Sequence, residues 1–285
     1  MFDQLKRGPI DRPLRLETTP DEIAARVIDL CAPLGKGQRG LIVSPPDAGK
    51  TTLLRTIALA IEKNHPECVV LILLLGECPE DIQLLRRSFT GPNVEVISTE
   101  LDALSADLVR ISTETLDRAK RLVAEGKDVV LLIDSINRLT WAMIDEAPPV
   151  LKIGGLSKGW HEAIQFFRAA CSIVHGGSLT IVAMLQIETG SRKDDMVHEE
   201  FRCSSNWELN LDGNLANRRI WPAIDLNRSG TRNEHLLRTD DELPLLQLLR
   251  QTLADIPPDE AMQVQVRKLK ATSTNAEFIR ALDMT

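Results

Sequence analysis

The chain contains no tyrosine, and only 4% of its 285 residues are aromatic. It therefore offers no extended row of rings on which successive bases of a nucleic acid would stack. Nor does it carry surplus positive charge. With 34 Lys and Arg against 41 Asp and Glu, the formal net charge is -7, where nucleic-acid-binding domains usually show a basic balance. Any grip on nucleic acid must be concentrated in a few loops. Five cysteines, Cys31, Cys68, Cys78, Cys171 and Cys203, are odd in number and never spaced C-x-x-C, which supports neither a disulfide framework nor a zinc site. No apolar run approaches the roughly 20 residues that span a membrane. The N-terminal MFDQLKRGPIDRPLRLE lacks the apolar core of a secretory leader. These absences lead us to expect a cytoplasmic protein with no membrane partner.

What is present is ordinary in bulk: 43% hydrophobic and 26% charged residues, the balance of a globular chain. The length allows one large domain or two small ones with a sizeable core. No period of 20–50 residues recurs.

The stretch LIVSPPDAGKTTLLRTI, residues 41–57, organises the rest. An apolar strand meets a turn, Ser44-Pro45-Pro46-Asp47-Ala48-Gly49, then Lys50-Thr51-Thr52 and a helix with Leu53, Leu54, Ile57, Ala58 and Ile61 on one face. Strand, Gly-containing loop, Lys-Thr and helix form the phosphate cradle of a P-loop, although Ser44 stands where the pattern opens with glycine. Gly49 lets the backbone approach a phosphate, and the loop amides and helix N-terminus face the anion. Lys50 would reach the β- and γ-phosphates of ATP, and the Thr51 hydroxyl would hold Mg2+.

Residues 1–40 are polar and broken by Pro9, Pro13, Pro20 and Pro33. A short helical pattern runs over 21–30, so residues 1–34 read as a linker and small appendage and 35–285 as one domain. Beyond Leu41, apolar strands alternate with helical patterns. Continuous apolar runs at 68–75 and 129–133 suit strands buried on both faces. Further strands are expected at 94–97 and 179–185. Helices are expected after Pro79 and at 106–125, 158–174, 241–252, 258–269 and 274–282. This alternation predicts an α/β fold, a mainly parallel sheet with helices on both faces.

Asp134 ends an apolar strand, where P-loop enzymes keep an acid that organises Mg2+; a helix-capping role is its plainer alternative. Glu77 follows the strand at 68–75, on the edge where ligands bind in open α/β sheets, and a carboxylate there can polarise an attacking water. Arg232 suits an arginine finger or a surface salt bridge, and Trp221 an adenine stack or core packing. Spacing alone favours the salt bridge and the core packing.

Joined together, GKGQRGLIVSPPDAGKT, LGECPED, LLIDSINRL, GGSLTIVA, IETGSRKDD, EEF and PAIDLNRSGTR closely resemble the ATPase domain of the transcription termination factor Rho family. The resemblance runs from about Phe2 to the C-terminus. It implies a RecA-like P-loop ATPase that forms a homo-hexameric ring. ATP would be hydrolysed at subunit interfaces while single-stranded RNA is translocated through the central channel, with RNA polymerase as a further partner. Lys50 and Thr51 match the phosphate and magnesium residues, Asp134 the second magnesium-organising acid and Glu77 the catalytic glutamate. Arg232 matches a finger supplied in trans, and Arg219 another arginine near the interface. The implied nucleotide contacts are the approach loop Gly35, Lys36, Gly37, Gln38, Arg39 and Gly40, then Asp47, Ala48, Gly49, Thr52, Cys78 and Trp221. Two channel loops would grip RNA. One, at 150–156, contains Lys152, Ile153, Gly154 and Gly155; the other, at 190–194, contains Ser191, Arg192 and Lys193. Backbone-gripping loops need only Gly, Lys and Arg, so a net acidic chain is compatible with them.

The chain departs from the family pattern in places. It begins near the linker that follows the family's cold-shock-like RNA-binding domain, so that domain is expected to be missing. Asp47 replaces a P-loop lysine, an exchange of charge that is worth a few kcal/mol at ~6 Å and an effective dielectric of ~20. Cys78 replaces an arginine, Gly76 an aspartate and Pro149 a lysine. Asp47 and Cys78 motivate an alternative reading: a degenerate module that binds nucleotide and oligomerises with little or no hydrolysis. Retention of Lys50, Glu77, Asp134 and Arg232 together favours the motor.

Overall fold

The computed structural model describes residues 2–148, 152–153 and 156–283. The expected strand–helix alternation builds one main sheet whose central six strands are parallel. In spatial order these are β6 (Trp207–Asn210), β1 (Arg39–Ser44), β5 (Ser178–Gln186), β4 (Asp128–Asp134), β2 (Val69–Leu74) and β3 (Val94–Ser98). The P-loop strand β1 and the Asp134 strand β4 are thus separated by β5, which pairs with both.

Alternation along each strand sends side chains to two separate cores. Leu41, Val43, Leu71, Leu73, Leu131 and Ile133 face one layer of helices. That layer comprises α4 (Ser105–Ala124), α5 (Ile136–Glu146), α6 (Lys158–Phe167) and α7 (Arg192–Ser204). Ile42, Ile72, Leu132 and Met184 face the other layer: α1 (Ile23–Cys31), α2 (Lys50–Asn64), α3 (Pro79–Ser88), α8 (Glu242–Ala254), α9 (Pro258–Lys270) and α10 (Asn275–Asp283). Strands covered on both faces explain the unbroken apolar runs.

Two expectations change. The helix expected over 158–174 stops at Phe167, where Arg168 caps it by donating its backbone N–H to the Ile164 and Phe166 carbonyls. Cys171–Ile173 is instead a strand, antiparallel to the start of β5, and Arg7–Gly8 pairs with it in turn. Helical periodicity ran on through a stretch that pairing captured. The segment 1–34, expected to be a linker and appendage, shares the core. Leu14 and Leu16 are buried. The fully buried Arg26 of α1 donates to the carbonyls of Leu269 (2.9 Å) and Thr272 (2.8 Å) and to Asn275 Oδ1 (3.2 Å), fastening α1 to the C-terminal helices. Among the described residues no helix is long and apolar enough to cross a membrane.

Candidate nucleotide-binding site

Because β1 ends at Ser44, the chain must turn within residues 45–49 to begin α2 at Lys50. Gly49 makes that turn with φ +86°, in the left-handed region, and a Cβ there would stand 3.0 Å from Cζ3 of Trp221. The backbone favours glycine there, and a Cβ would also crowd the Trp221 ring. No side chain caps α2, so the amides of its first turn and its positive end remain available to an anion.

Lys50 donates to both carboxylate oxygens of Asp134, at 3.0 and 2.9 Å, and stands 3.7 Å from Glu77 Oε1. Asp134, the last residue of β4, is fully buried. Glu77 follows β2 through Gly76, whose φ is +65° and where a Cβ would collide with the Arg138 guanidinium. Glycine in place of an aspartate thus makes room for Arg138. Burial pushes the Glu77 carboxyl above its ordinary range, and the Asp134 charge adds to this, while Lys50 and Arg138 only partly oppose it. For Lys50 burial works against the charged form, but the facing Asp134 outweighs it and holds the ammonium above the ordinary lysine range. A carboxyl raised in this way, beside a fixed cation, holds a proton more readily than an ordinary glutamate and suits general-base work.

Thr51 lies in the first turn of α2, half-buried. Together with Asp134 it fits Mg2+, an ion that keeps waters and phosphate oxygens as ligands and does not need an all-protein cage. The described residues contain no cluster of three His, Cys, Asp or Glu able to hold a metal by themselves. Asp47 sits at the exposed tip of the loop with φ +56°, where water screens its charge. Its exchange for a lysine costs the site less than a dry pair would. Ala48 is buried and Thr52 exposed; Cys78 is exposed at the N-cap of α3. A cleft of about 420 Å3 opens beside the loop, between Gly49, Thr52 and Thr56 on one side and Ile23, Trp221 and Pro222 on the other. Trp221 is 45% exposed, so one part of its ring covers the loop while another stays open. Core packing, the plainer reading of this residue, does not describe it.

The approach loop 35–40 lies elsewhere. Gly40 and Arg39 open β1, and the P-loop follows its far end, so at about 3.3 Å per residue the length of the strand separates the two. Lys36 pairs with Glu67 and Asp128, both at 2.8 Å, and Gly37 N–H donates to Thr180 Oγ1 at 2.8 Å. Gln38 Oε1 accepts from Gly35 N–H at 2.7 Å. This loop does not border the phosphate cradle of its own chain. Arg232 shares its edge: Arg232 N–H donates to the Asn206 carbonyl, and Arg39 N–H donates to Asn206 Oδ1. Burial, with the guanidiniums of Arg168, Arg7 and Arg232, pushes Arg39 below the ordinary arginine range. That edge is electropositive. The turn before Arg232 is rigid, since Asp225 Oδ1 accepts from the amides of Asn227 and Arg228, and Ser229 Oγ donates to the Asp225 carbonyl. Arg219 is exposed and lies two positions before Trp221, on the P-loop side, so Arg219 and Arg232 occupy opposite ends of the sheet.

Of the expected RNA loops, Gly154 and Gly155 lie outside the described residues, and Lys152 and Ile153 form a two-residue strand paired with Leu156–Ser157. The second loop follows β5 on the P-loop side of the sheet. Arg192 and Lys193 are exposed at the start of α7, Ser191 is its N-cap, and Lys193 Nζ lies 5.3 Å from the centre of the Trp141 ring. Sequence reading missed Arg138, Asn137 and the gathering of Arg7 and Arg168 around Arg39. The first two had a local signal, standing in the helix that follows Asp134. The third is assembled from segments far apart in sequence.

Comparison with known proteins follows this geometry. Residues 24–231 match the nucleotide-binding domain of the ATP synthase alpha/beta family. The chain is 45% identical over 275 residues to transcription termination factor Rho of Mycobacterium leprae, covering 95% of this chain and 45% of that protein. It is 43% identical to Rho of Buchnera aphidicola (98% and 67% covered) and 41% identical to Rho of Escherichia coli K12 (99% and 68% covered). The chain thus spans about half to two-thirds of the length of these relatives. Among solved structures, an ATPase from the type III secretion system of pathogenic bacteria superposes with a TM-score of 0.79 at 21% identity, over 99% of this chain and 87% of the other. The assembled EscN ATPase of enteropathogenic E. coli gives 0.76 at 20% identity, over 98% and 72%. These likenesses establish the fold as the RecA-like P-loop ATPase type.

Proposed function

Given that the chain belongs to the transcription termination factor Rho family, we propose that it is the ATP-hydrolysing motor domain of a cytoplasmic, RNA-dependent translocase acting in transcription termination. Its working form is a homo-hexameric ring with single-stranded RNA in the channel and RNA polymerase as its wider partner. The observation that carries this reading is the convergence of Lys50, Glu77 and Asp134 at one end of the sheet while Arg232 stands at the other.

ATP would seat its phosphates on the uncapped first turn of α2 and its adenine beside Trp221. Lys50 would turn from Asp134 to the β- and γ-phosphates, shedding a lysine–carboxylate pair for a lysine–phosphate pair. Bound Mg2+, held by Thr51 and by Asp134 directly or through water, would neutralise charge on those phosphates. Glu77 would orient the attacking water and accept its proton. Its raised affinity for protons is matched to that task, and it places the acid limb of the rate profile above the usual carboxylate range. Arg232 is on the wrong edge to help its own chain, which supports delivery to the site of a neighbour in the ring. The loop 35–40, on the same edge, would then border the neighbour's nucleotide. Arg192 and Lys193 would hold the RNA backbone.

The deciding experiment is steady-state ATP hydrolysis with and without a C-rich single-stranded RNA, with Glu77→Ala as the blank. Stimulation by RNA that vanishes in the blank is expected. ATP binding with hydrolysis no higher than the blank would replace this reading with the binding-only module and direct attention to Asp47 and Cys78.

A further inference from the structure

Asn137 lies in the first turn of α5, only 3% exposed, directly after the strand that ends in Asp134. Its amide is engaged on both sides. Nδ2 donates to the Gln186 carbonyl at 3.1 Å and to Asp194 Oδ1 at 2.8 Å, while Oδ1 accepts from Gln186 N–H at 2.9 Å. Gln186 is the last residue of β5, the strand between the P-loop strand and the Asp134 strand. Asp194 is the acid of loop 190–194. It also accepts from Trp141 Nε1 at 3.2 Å and from Thr189 Oγ1 at 2.6 Å. The adjacent Lys193 rests its ammonium against the same Trp141 ring.

One buried amide therefore joins the segment after Asp134, the end of the intervening strand and the anchor of an exposed cationic loop. We propose that Asn137 is the positioning residue through which nucleic acid held at Arg192 and Lys193 acts on the nucleotide site; the inference rests on the function proposed above. A phosphate arriving at Lys193 competes with the Trp141 ring for its ammonium. Release of that contact loads Asp194, on which three donors converge. Asn137 passes the displacement to Gln186 and to the turn behind Asp134. Asparagine suits the task because donor and acceptor lie on one rigid plane, so the loop anchor and the strand end move together.

Coupling of this kind is reciprocal and typically amounts to about 5–150-fold. The test uses Asn137→Ala in the full chain. Basal ATP hydrolysis and RNA-free nucleotide affinity should stay at wild-type values. Stimulation by polycytidylic RNA should fall at least ~5-fold; in binding, the effect of RNA on affinity for a non-hydrolysable ATP analogue and the effect of that analogue on RNA affinity should shrink by one common factor. Trp141→Phe leaves an aromatic face but removes the indole N–H donor together with part of the ring; it should show a partial loss, and it decides the matter if Asn137→Ala fails to fold. Wild-type stimulation and wild-type reciprocity in both variants would overturn the coupling. So would an equal drop in basal and stimulated rates, which marks a scaffold residue. If the wild-type chain itself ignores RNA, the proposed function falls and the coupling with it. If only the variants behave as wild type, the function stands and the coupling alone is lost.

Discussion

β4 begins at Asp128 and ends at Asp134, and each aspartate faces a lysine from a flank of the P-loop strand: Lys36 before β1, Lys50 after it. The pairs share a strand and a chemistry, yet they are finished differently. Around Asp128 the arrangement is closed. Lys36 approaches at 2.8 Å, Arg12 makes a two-pronged contact at 3.0 and 3.2 Å, Ser178 Oγ donates at 2.8 Å, and Glu67 balances Lys36. Two cations meet two carboxylates. Burial pushes the Asp128 carboxyl up, but Lys36, Ser178 and Arg12 outweigh it and hold it below the ordinary range. Around Asp134 the arrangement is open. One lysine serves two carboxylates, Glu77 is driven the opposite way, and an uncapped helix start lies alongside. A closed pair fastens a fold. An open pair leaves charge and backbone donors for something that arrives from outside.

The largest break in this comparison should come from the open end. Lys50→Ala should abolish hydrolysis, and Arg232→Ala should lower turnover by about 10^3-fold, the scale of fingers supplied in trans. Each inactive variant lacks a different edge, so mixing the two should restore part of the activity. Mixtures as inactive as their components would remove the trans assignment.

At the closed end, Asp128→Ala should leave chemistry alone and cost about 3 kcal/mol of stability, the low end for breaking a buried pair because Glu67 still faces Lys36. Chemical denaturation measures it. The sign with pH follows from the lowered carboxyl. Its stabilisation is complete above the unfolded value near ~4 and is lost as pH falls through the folded value. Wild type should therefore weaken on acidification more steeply than Asp128→Ala.

Smaller again, Trp221→Ala should weaken nucleotide binding by ~1–3 kcal/mol, the worth of one base stack, with turnover at saturation preserved. Equilibrium binding of an ATP analogue checks this. Smallest of all, Asp47→Lys should tighten nucleotide by less than about 1 kcal/mol, because an exposed charge is screened. A larger gain would mean that the loop tip turns inward when occupied.

The open end was largely legible in the sequence because its parts are local. A strand, a glycine turn and Lys-Thr define the P-loop within a few residues, and Asp134 and Glu77 each announce themselves at the end of an apolar run. Position in space was less legible than position in sequence. Loop 35–40 immediately precedes the P-loop strand, but the strand carries the chain across the sheet and leaves the two at opposite edges. The helix expected over 158–174 failed for a related reason, since 171–173 is held by partners at Arg7–Gly8 and in β5 that periodicity does not see. Asn137 was hidden because its meaning depends on Asp194, distant in the chain and joined to it only by folding.

The chain has no tyrosine, so its tryptophan emission is free of tyrosine overlap. Trp160 and Trp207 are almost fully buried and Trp141, on α5 beside Asp194, is half-buried, whereas Trp221 is 45% exposed with its ring against Gly49. The residue that flanks the cleft is therefore also its natural optical reporter. Nucleotide binding should change the wavelength and intensity of the Trp221 contribution and leave the two buried rings unmoved, so occupancy can be followed in the unlabelled protein.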